Sequence, residues 1–228
     1  MSDQPNRQRE PGGPAQSNGR DALLVDWGGV LTTNLFVSFH AYCTEVGIDF
    51  DDLGRRFLAD QEFRELLVGL ETGKLTEEQF EPGLAALLEV EPDGLIDGLL
   101  AGVGPDVPMI EAVRSARTAA VRTVLISNSW GVHRYPRELF EEIFDALVIS
   151  GEVGMRKPAP AMYELGAQLA GVAPERCVYV DDLPHNLAPA QELGMATVHH
   201  TNAATTIPEL ETLLGIPLAD DQHGDEAS

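Results

Sequence analysis

Four clusters of polar residues, each placed just after an apolar run, could do chemistry together. Asp26 follows Ala22–Val25, in Leu-Leu-Val-Asp-Trp-Gly-Gly-Val-Leu-Thr. Ser127 and Asn128 follow Thr123–Ile126. Lys157, in Val-Gly-Met-Arg-Lys-Pro, comes after Ala146–Ile149. Asp181 and Asp182 follow Cys177–Val180, in Val-Tyr-Val-Asp-Asp-Leu-Pro-His-Asn. If the runs are neighbouring strands, three carboxylates, a hydroxyl, an amide and an ammonium share one small volume. Close carboxylates repel one another unless a cation lies between them or one stays protonated. Hard oxygen ligands, in a site left partly to water and phosphate, suit Mg²⁺. A nearby Lys would balance the anions and hold a phosphate oxygen. Each residue alone has a plainer reading. Asp26 could be a helix cap or turn residue, Ser127-Asn128 a turn pair, and Lys157 a solvated loop residue. Asp181 and Asp182 could cap a helix beginning near Pro184. The argument rests on the set.

The elements that must position them read as an α/β fold with a Rossmann-like parallel sheet. The four runs, with a weaker fifth at Ala196–His199, are short and almost continuously apolar, as fully buried parallel strands are. Helical patterns at Met109–Ala119, Pro136–Phe144, Pro160–Ala170 and Leu187–Leu193 alternate with them, which indicates a right-handed α/β sheet. Between about Thr33 and Pro108 the alternation stops. That stretch holds helix-like segments near Val37–Val46, Leu53–Leu58, Glu62–Leu70, Glu77–Leu88 and Gly94–Ala101, with no convincing strand. It reads as a small helical cap, residues 34–108, inserted after the first strand into a core of residues 21–33 and 109–215. Ligands of open α/β sheets bind beyond the carboxyl ends of the strands, so an insert there would lie over the site as a lid.

Composition bounds the rest. The 228 residues are 43% hydrophobic, which suits one globular domain or a domain with a modest insert. No run approaches the roughly 20 apolar residues that cross a bilayer. Residues 1–20 are expected to be a disordered leader and residues 216–228 an acidic tail. Cys43 and Cys177 have no metal-ligand spacing and read as buried thiols in a reducing cytoplasm. Fifteen Lys+Arg against 37 Asp+Glu give a net charge of −22. That field repels nucleic acid, and a phosphate site here needs local positive charge from a metal or a Lys. Gly69-Leu-Glu-Thr-Gly73-Lys74 superficially looks like a phosphate-binding loop, but the spacing is short and no strand precedes it. A turn between two insert helices is expected, with Thr76 and Gln79 forming a capping box.

The four clusters resemble the four motifs of the haloacid dehalogenase-like superfamily, in order and spacing, over roughly Ala22 to His200. Val-Gly-Met-Arg-Lys-Pro-Ala-Pro-Ala-Met-Tyr and Val-Asp-Asp-Leu-Pro-His-Asn-Leu-Ala-Pro-Ala-Gln-Glu-Leu-Gly-Met look most like the N-terminal phosphatase domain of soluble epoxide hydrolases and its bacterial relatives. The resemblance implies a phosphatase of a small phosphorylated metabolite. Asp26 would form an aspartyl-phosphate. Asp26 and Asp182 would hold Mg²⁺ by their side chains and Gly28 by its carbonyl, with Asp181 helping through water or by orienting its neighbours. Ser127 and Lys157 would bind phosphoryl oxygens, and Asn128 would shape the pocket.

One position departs from the pattern. Phosphatases of this group carry a second Asp two residues after the nucleophile, where it protonates the leaving oxygen; here that position is Gly28. A substrate with a good leaving group, a different donor such as His133, His185 or His40, or a weak or silent phosphate-binding protein would each account for it. Carbon–halogen cleavage disagrees with both Gly28 and the Asp181-Asp182 pair. Trp27 and Trp130 flank the motifs, as packing residues or substrate contacts, and Arg55, Arg56 and Arg64 of the insert are candidates for the entrance.

Overall fold

A computed structural model describes residues 19–218. The expected leader up to residue 18 and the acidic tail from residue 219 lie outside the described residues. Five parallel strands form one sheet: β1 (Ala22–Val25), β2 (Arg122–Ser127), β3 (Ala146–Ile149), β4 (Cys177–Asp181) and β5 (Ala196–His199), in the order β3-β2-β1-β4-β5. From β1 the chain winds outward to β2 and β3, then crosses to β4 and β5 on the other side. The strand order therefore reverses between β1 and β4, where a crevice opens at the carboxyl edge.

Alternation along the strands sorts their side chains into two apolar layers. Leu23, Val25, Leu125, Val178 and Val180 face one layer, with α6 (Val107–Thr118), α7 (Arg137–Ile143) and α11 (Ala203–Leu214). Leu24, Val124, Ile126 and Tyr179 face the other, with α9 (Pro160–Ala170) and α10 (Pro184–Glu192). β1 is buried along its whole length, as expected of a central strand. β3 and β5 are edge strands and only partly buried, which corrects their reading as fully buried. A short helix, α8 (Ser150–Val153), follows β3. Among the described residues, no helix is long and apolar enough to cross a membrane.

Between β1 and α6 lie α1 (Leu35–Val46), α2 (Phe50–Ala59), α3 (Gln61–Glu71), α4 (Glu77–Leu88) and α5 (Leu95–Leu100). They enclose an apolar cluster of their own, with Phe39, Phe63, Phe80, Leu84 and Leu95 buried in it. Each such side chain stabilises the cluster by about 1.5–3 kcal/mol. The helices begin where a capping side chain allows. Asn34 accepts from the Phe36 amide at 2.8 Å, Asp49 from Asp51 at 2.9 Å, and Asp60 from Glu62 at 2.9 Å. This is why α1 starts at Leu35 and α2 at Phe50, ahead of the expected starts near Val37 and Leu53. The insert leaves and returns at one point, a bridge pairing Thr32 with Pro105.

The turn between α3 and α4 is the segment with the loop-like Gly spacing. Gly73 has a φ of +69° there, and a Cβ would lie 2.5 Å from the Gly151 carbonyl oxygen. Gly73 thus lets the insert touch α8. Thr76 and Gln79 form a capping box at the start of α4. Charged contacts also join insert to core. Arg134 pairs with Glu77 at 2.6 Å and with Asp97 at 2.5 Å, and Arg156 pairs with buried Glu71 at 2.5 Å. Cys43 and Cys177 are free and buried, and burial pushes the Cys177 thiol up to about 12.

Candidate active site

Register brings the polar residues together. Val25 lies beside Leu125 on one side and Val180 on the other. The next residue, Asp26, donates its backbone amide to the Val180 carbonyl at 3.0 Å, so it emerges beside Asp181 and near Ser127. Lys157 comes from the loop after α8, and that loop is pinned to the end of β2 by Asn128. The Asn128 side chain accepts from the Lys157 amide at 2.8 Å and donates to the Lys157 carbonyl at 3.2 Å.

The Lys157 ammonium, 1% exposed, lies 2.8 Å from Asp26 Oδ1 and 2.7 Å from Asp181 Oδ2. Burial alone would favour the neutral amine. Asp181 and Asp26 reverse that and hold the charged form. Asp26 Oδ1 also accepts from the Trp27 amide at 2.7 Å. Among the described residues Oδ2 takes no hydrogen bond. Burial pushes the Asp26 carboxyl up to about 7, against the pull of Lys157 and with a further push from Asp181. Asp26 is therefore the group that yields its charge when no other cation is near.

Adjacent Asp181 and Asp182 have opposite surroundings. Tyr179, two residues back on the same strand face, donates its hydroxyl to Asp181 Oδ2. The Leu183 amide at 2.8 Å and Asn186 Nδ2 at 3.1 Å donate to Oδ1. Burial opposes ionisation of Asp181, but Lys157 and these donors hold its carboxyl below the usual range. Asp182 has left the strand. Its carboxylate rests against Gly29, where φ is +77° and a Cβ would collide with it. Burial and Asp181 push Asp182 up to about 6. The helix-cap reading of the pair is replaced: Asp181 accepts one amide of the turn before α10, which has no side-chain cap. This helix starts at Pro184, where a start was expected and ahead of the apolar pattern Leu187–Leu193, because proline is pre-organised for a first helical position.

One oxygen each of Asp26, Asp181 and Asp182 lie within 4.8 Å of one another. Oxygens around an octahedral ion with bonds of about 2.1 Å lie roughly 3–4 Å apart. A hard divalent cation fits this donor set after a small closure. Asp182 and Asp26 have the more open carboxylates, whereas both oxygens of Asp181 are already occupied by donors.

A cavity of about 550 Å³ lies beside this cluster: Gly28, Ser127 and Asn128 line it with apolar residues from both core and insert, whereas Asp26, Lys157, Asp181 and Asp182 do not. Trp27 and Trp130 line it while also packing. Trp27 meets Phe140 edge-on at 4.9 Å, and Trp130 lies 5.2 Å from Phe39. The candidate histidines are elsewhere: none of His40, His133 and His185 lines the cavity. His133 is exposed, 3.3 Å from Glu77, and His40 packs on Phe50. Those expectations weighed residue type alone. Arg55 and Arg56 pair with Asp52, and neither they nor Arg64 lines the cavity. Its arginine is Arg134.

Three residues that sequence reasoning missed belong to this neighbourhood. Tyr179 could have been found from its i, i+2 relation to Asp181, and Asn186 from its place one turn into the helix after it. Tyr135 carries no local signal. Its hydroxyl is 2.8 Å from Ser127 Oγ.

Known proteins resemble this chain in sequence and in fold. The rat bifunctional epoxide hydrolase 2 (Rattus norvegicus) is 30% identical over 115 residues, which is 47% of this chain and 21% of that protein. The chain thus spans about a fifth of the length of that relative. The sesquiterpene phosphatase astK of Aspergillus oryzae is 27% identical over 216 residues, 85% of this chain and 96% of that one. A wild-type HAD family enzyme of Bacteroides thetaiotaomicron, crystallised with magnesium and inorganic phosphate, superimposes with a TM-score of 0.61 at 22% identity, covering 81% of this chain and 96% of that one. The haloacid dehalogenase-like hydrolase family matches residues 20–194, and the chain belongs to that family of hydrolases.

Proposed function

We propose that this hydrolase is a magnesium-dependent phosphatase that cleaves a small phosphorylated metabolite through an aspartyl-phosphate on Asp26. The observation that carries the reading is the Lys157 ammonium bridging Asp26 and Asp181, with Asp182 close by and a cavity reached through Gly28 and Ser127 beside them. Asp26 attacks phosphorus and the bond to the leaving oxygen breaks. A water molecule then hydrolyses the aspartyl-phosphate, so that one hard displacement becomes two easier ones. Ser127 Oγ and Lys157 Nζ bind the phosphoryl oxygens and stabilise their charge. Asn128 fixes the loop that carries Lys157. Asp26, Asp182 and the Gly28 carbonyl would hold Mg²⁺, and Asp181 orients Lys157 and would reach the ion at most through water. When bound, the ion supplies charge neutralisation between the carboxylates and the anionic substrate.

The insert, residues 34–108, acts as the cap over a core of residues 21–33 and 109–215. The cavity between them is walled by Leu35, Leu100, Val103, Trp130 and Leu139. Its one arginine, Arg134, is already paired with two carboxylates. That lining favours a leaving group with apolar surface, a property in keeping with the sesquiterpene phosphatase among its relatives. The buried free thiols suit a reducing cytoplasm. Gly28 favours a second reading, a phosphate-ligand binder with weak turnover. Phosphate release from esters, with and without Mg²⁺, in wild type and Asp26→Asn separates the two. Magnesium-dependent release lost in Asp26→Asn supports the phosphatase, and ligand-dependent stabilisation without release supports the binder.

A further inference from the structure

With no carboxyl at position 28, the leaving oxygen needs another source of a proton. The space beside Gly28 is apolar: a Cβ there would meet Leu35 Cδ1 at 2.7 Å. Among the residues that line the cavity, two side chains titrate, Arg134 and Tyr135. Arg134 is held by Glu77 and Asp97 and keeps its proton, which leaves Tyr135.

Tyr135 stands at the right end of the cavity. Its hydroxyl is 2.8 Å from Ser127 Oγ, the group that holds a phosphoryl oxygen in the reading above. The ring is clamped. Trp27 meets it edge-on at 6.4 Å, Phe140 lies at 5.5 Å, and the Arg137 guanidinium lies 5.7 Å from its centroid. The hydroxyl therefore has little freedom to turn away. Burial keeps it protonated well above neutral pH.

We propose that Tyr135 is the catalytic acid and base of this enzyme, in place of the absent carboxyl at position 28. The proposal rests on the phosphatase reading. As the bond from phosphorus to the leaving oxygen breaks, the Tyr135 O–H bond breaks and its proton passes to that oxygen. The alcohol leaves, and the electron pair stays on Tyr135 as a phenolate. In the second step the phenolate takes a proton from the water that attacks the aspartyl-phosphate. This restores the phenol, frees the Asp26 carboxylate and releases inorganic phosphate. Buried Lys157, close to the same group of residues, tempers the phenolate's charge.

A leaving-group series tests this. We expect kcat/KM of the Mg²⁺-loaded Tyr135→Phe enzyme to fall at least about 10²-fold on alkyl phosphates, the scale of general acid catalysis. On p-nitrophenyl phosphate, whose leaving group needs little protonation, the loss stays within about threefold. Ser127→Ala, which removes a phosphoryl contact, lowers both alike. Equal losses on both substrates in Tyr135→Phe would overturn the proposal while leaving the phosphatase reading intact. A wild type that releases no phosphate from any ester overturns both. Should Tyr135→Phe not fold, 3,5-difluorotyrosine at this position keeps the ring and hydroxyl but lowers its pKa. The alkaline limb of the kcat/KM profile on alkyl phosphates then moves to lower pH, and an unmoved limb refutes the assignment.

Discussion

Replacing Lys157 by Met removes the ammonium that faces two buried carboxylates and keeps most of its length and apolar stem. In the wild type, Nζ is 2.8 Å from Asp26 and 2.7 Å from Asp181, with Asp181 fully buried. At an effective dielectric near 20, each contact amounts to about 6 kcal/mol of attraction. Most of that is offset by the cost of taking the charges out of water. Removing one partner of a buried pair typically costs about 3–5 kcal/mol, because the remaining charge is stranded. For a chain of this size that is a fall in Tm of roughly 6–20 °C. The loss depends on pH. Asp181 is held below its usual range in the wild type and so contributes stability above its unfolded pKa. Without Lys157, Asp181 joins Asp26 among carboxyls raised by burial. The folded variant then binds more protons than its unfolded chain, and its stability falls as pH rises. Thermal unfolding in EDTA should show a large deficit at pH 8 that shrinks at pH 5. A deficit under about 1 kcal/mol at pH 8, or one that is the same at both pH values, would refute the electrostatic account of this site.

The same electrostatics sets the metal dependence. In the metal-free protein Asp26 and Asp182 are raised to about 7 and 6, so stability from these groups declines between about pH 4 and pH 7. Stabilisation by Mg²⁺, read as a shift in Tm, should grow over that interval as bound protons no longer compete; a shift independent of pH contradicts it. Asp26→Asn should lower kcat/KM at least about 10³-fold, as loss of a nucleophile does, with the Tm of the metal-free protein kept or raised because a buried acid becomes a neutral amide. Residual turnover near wild type would exclude Asp26 as nucleophile. Gly28→Asp should need room. Alone it presses on Leu35, and with Leu35→Ala it should restore activity of Tyr135→Phe on alkyl phosphates more than on p-nitrophenyl phosphate, as measured by kcat/KM ratios.

Much of the scaffold was legible because its signals are local. β1, β3 and β5 run over the apolar stretches read for them, and α4 and α9 begin and end as expected. Helix starts were less legible, since polar caps such as Asn34 and Asp49 fix them two or three residues ahead of the stretches read from periodicity. Lys157 joins the site from the loop after α8, and the meeting of Asp26, Ser127, Asn128 and Asp181 followed from strand ends. The difference between Asp181 and Asp182 did not. It depends on Tyr179 and Asn186 closing around one of them, and hydrogen bonds across a turn leave no periodic trace. Tyr135 was missed for a similar reason. It lies eight residues past Ser127, and only the fold of the intervening loop returns its hydroxyl to that serine.

Charge balance shows what a divalent ion would offer this arrangement. Three carboxylates against one ammonium leave a surplus of two negative charges in a volume nearly closed to water. Without a metal the surplus is relieved by protons, and the groups that take them are Asp26 and Asp182, the two with open oxygens. A protonated carboxyl is a poorer nucleophile than a carboxylate. A divalent cation held by Asp26 and Asp182 would cancel the same surplus and leave the Asp26 carboxylate unprotonated. Asp181 stays outside this exchange because Lys157 and its other donors keep it ionised throughout. The fixed Lys157–Asp181 pair thereby keeps the ammonium in place for a phosphoryl oxygen, whatever Asp26 is doing.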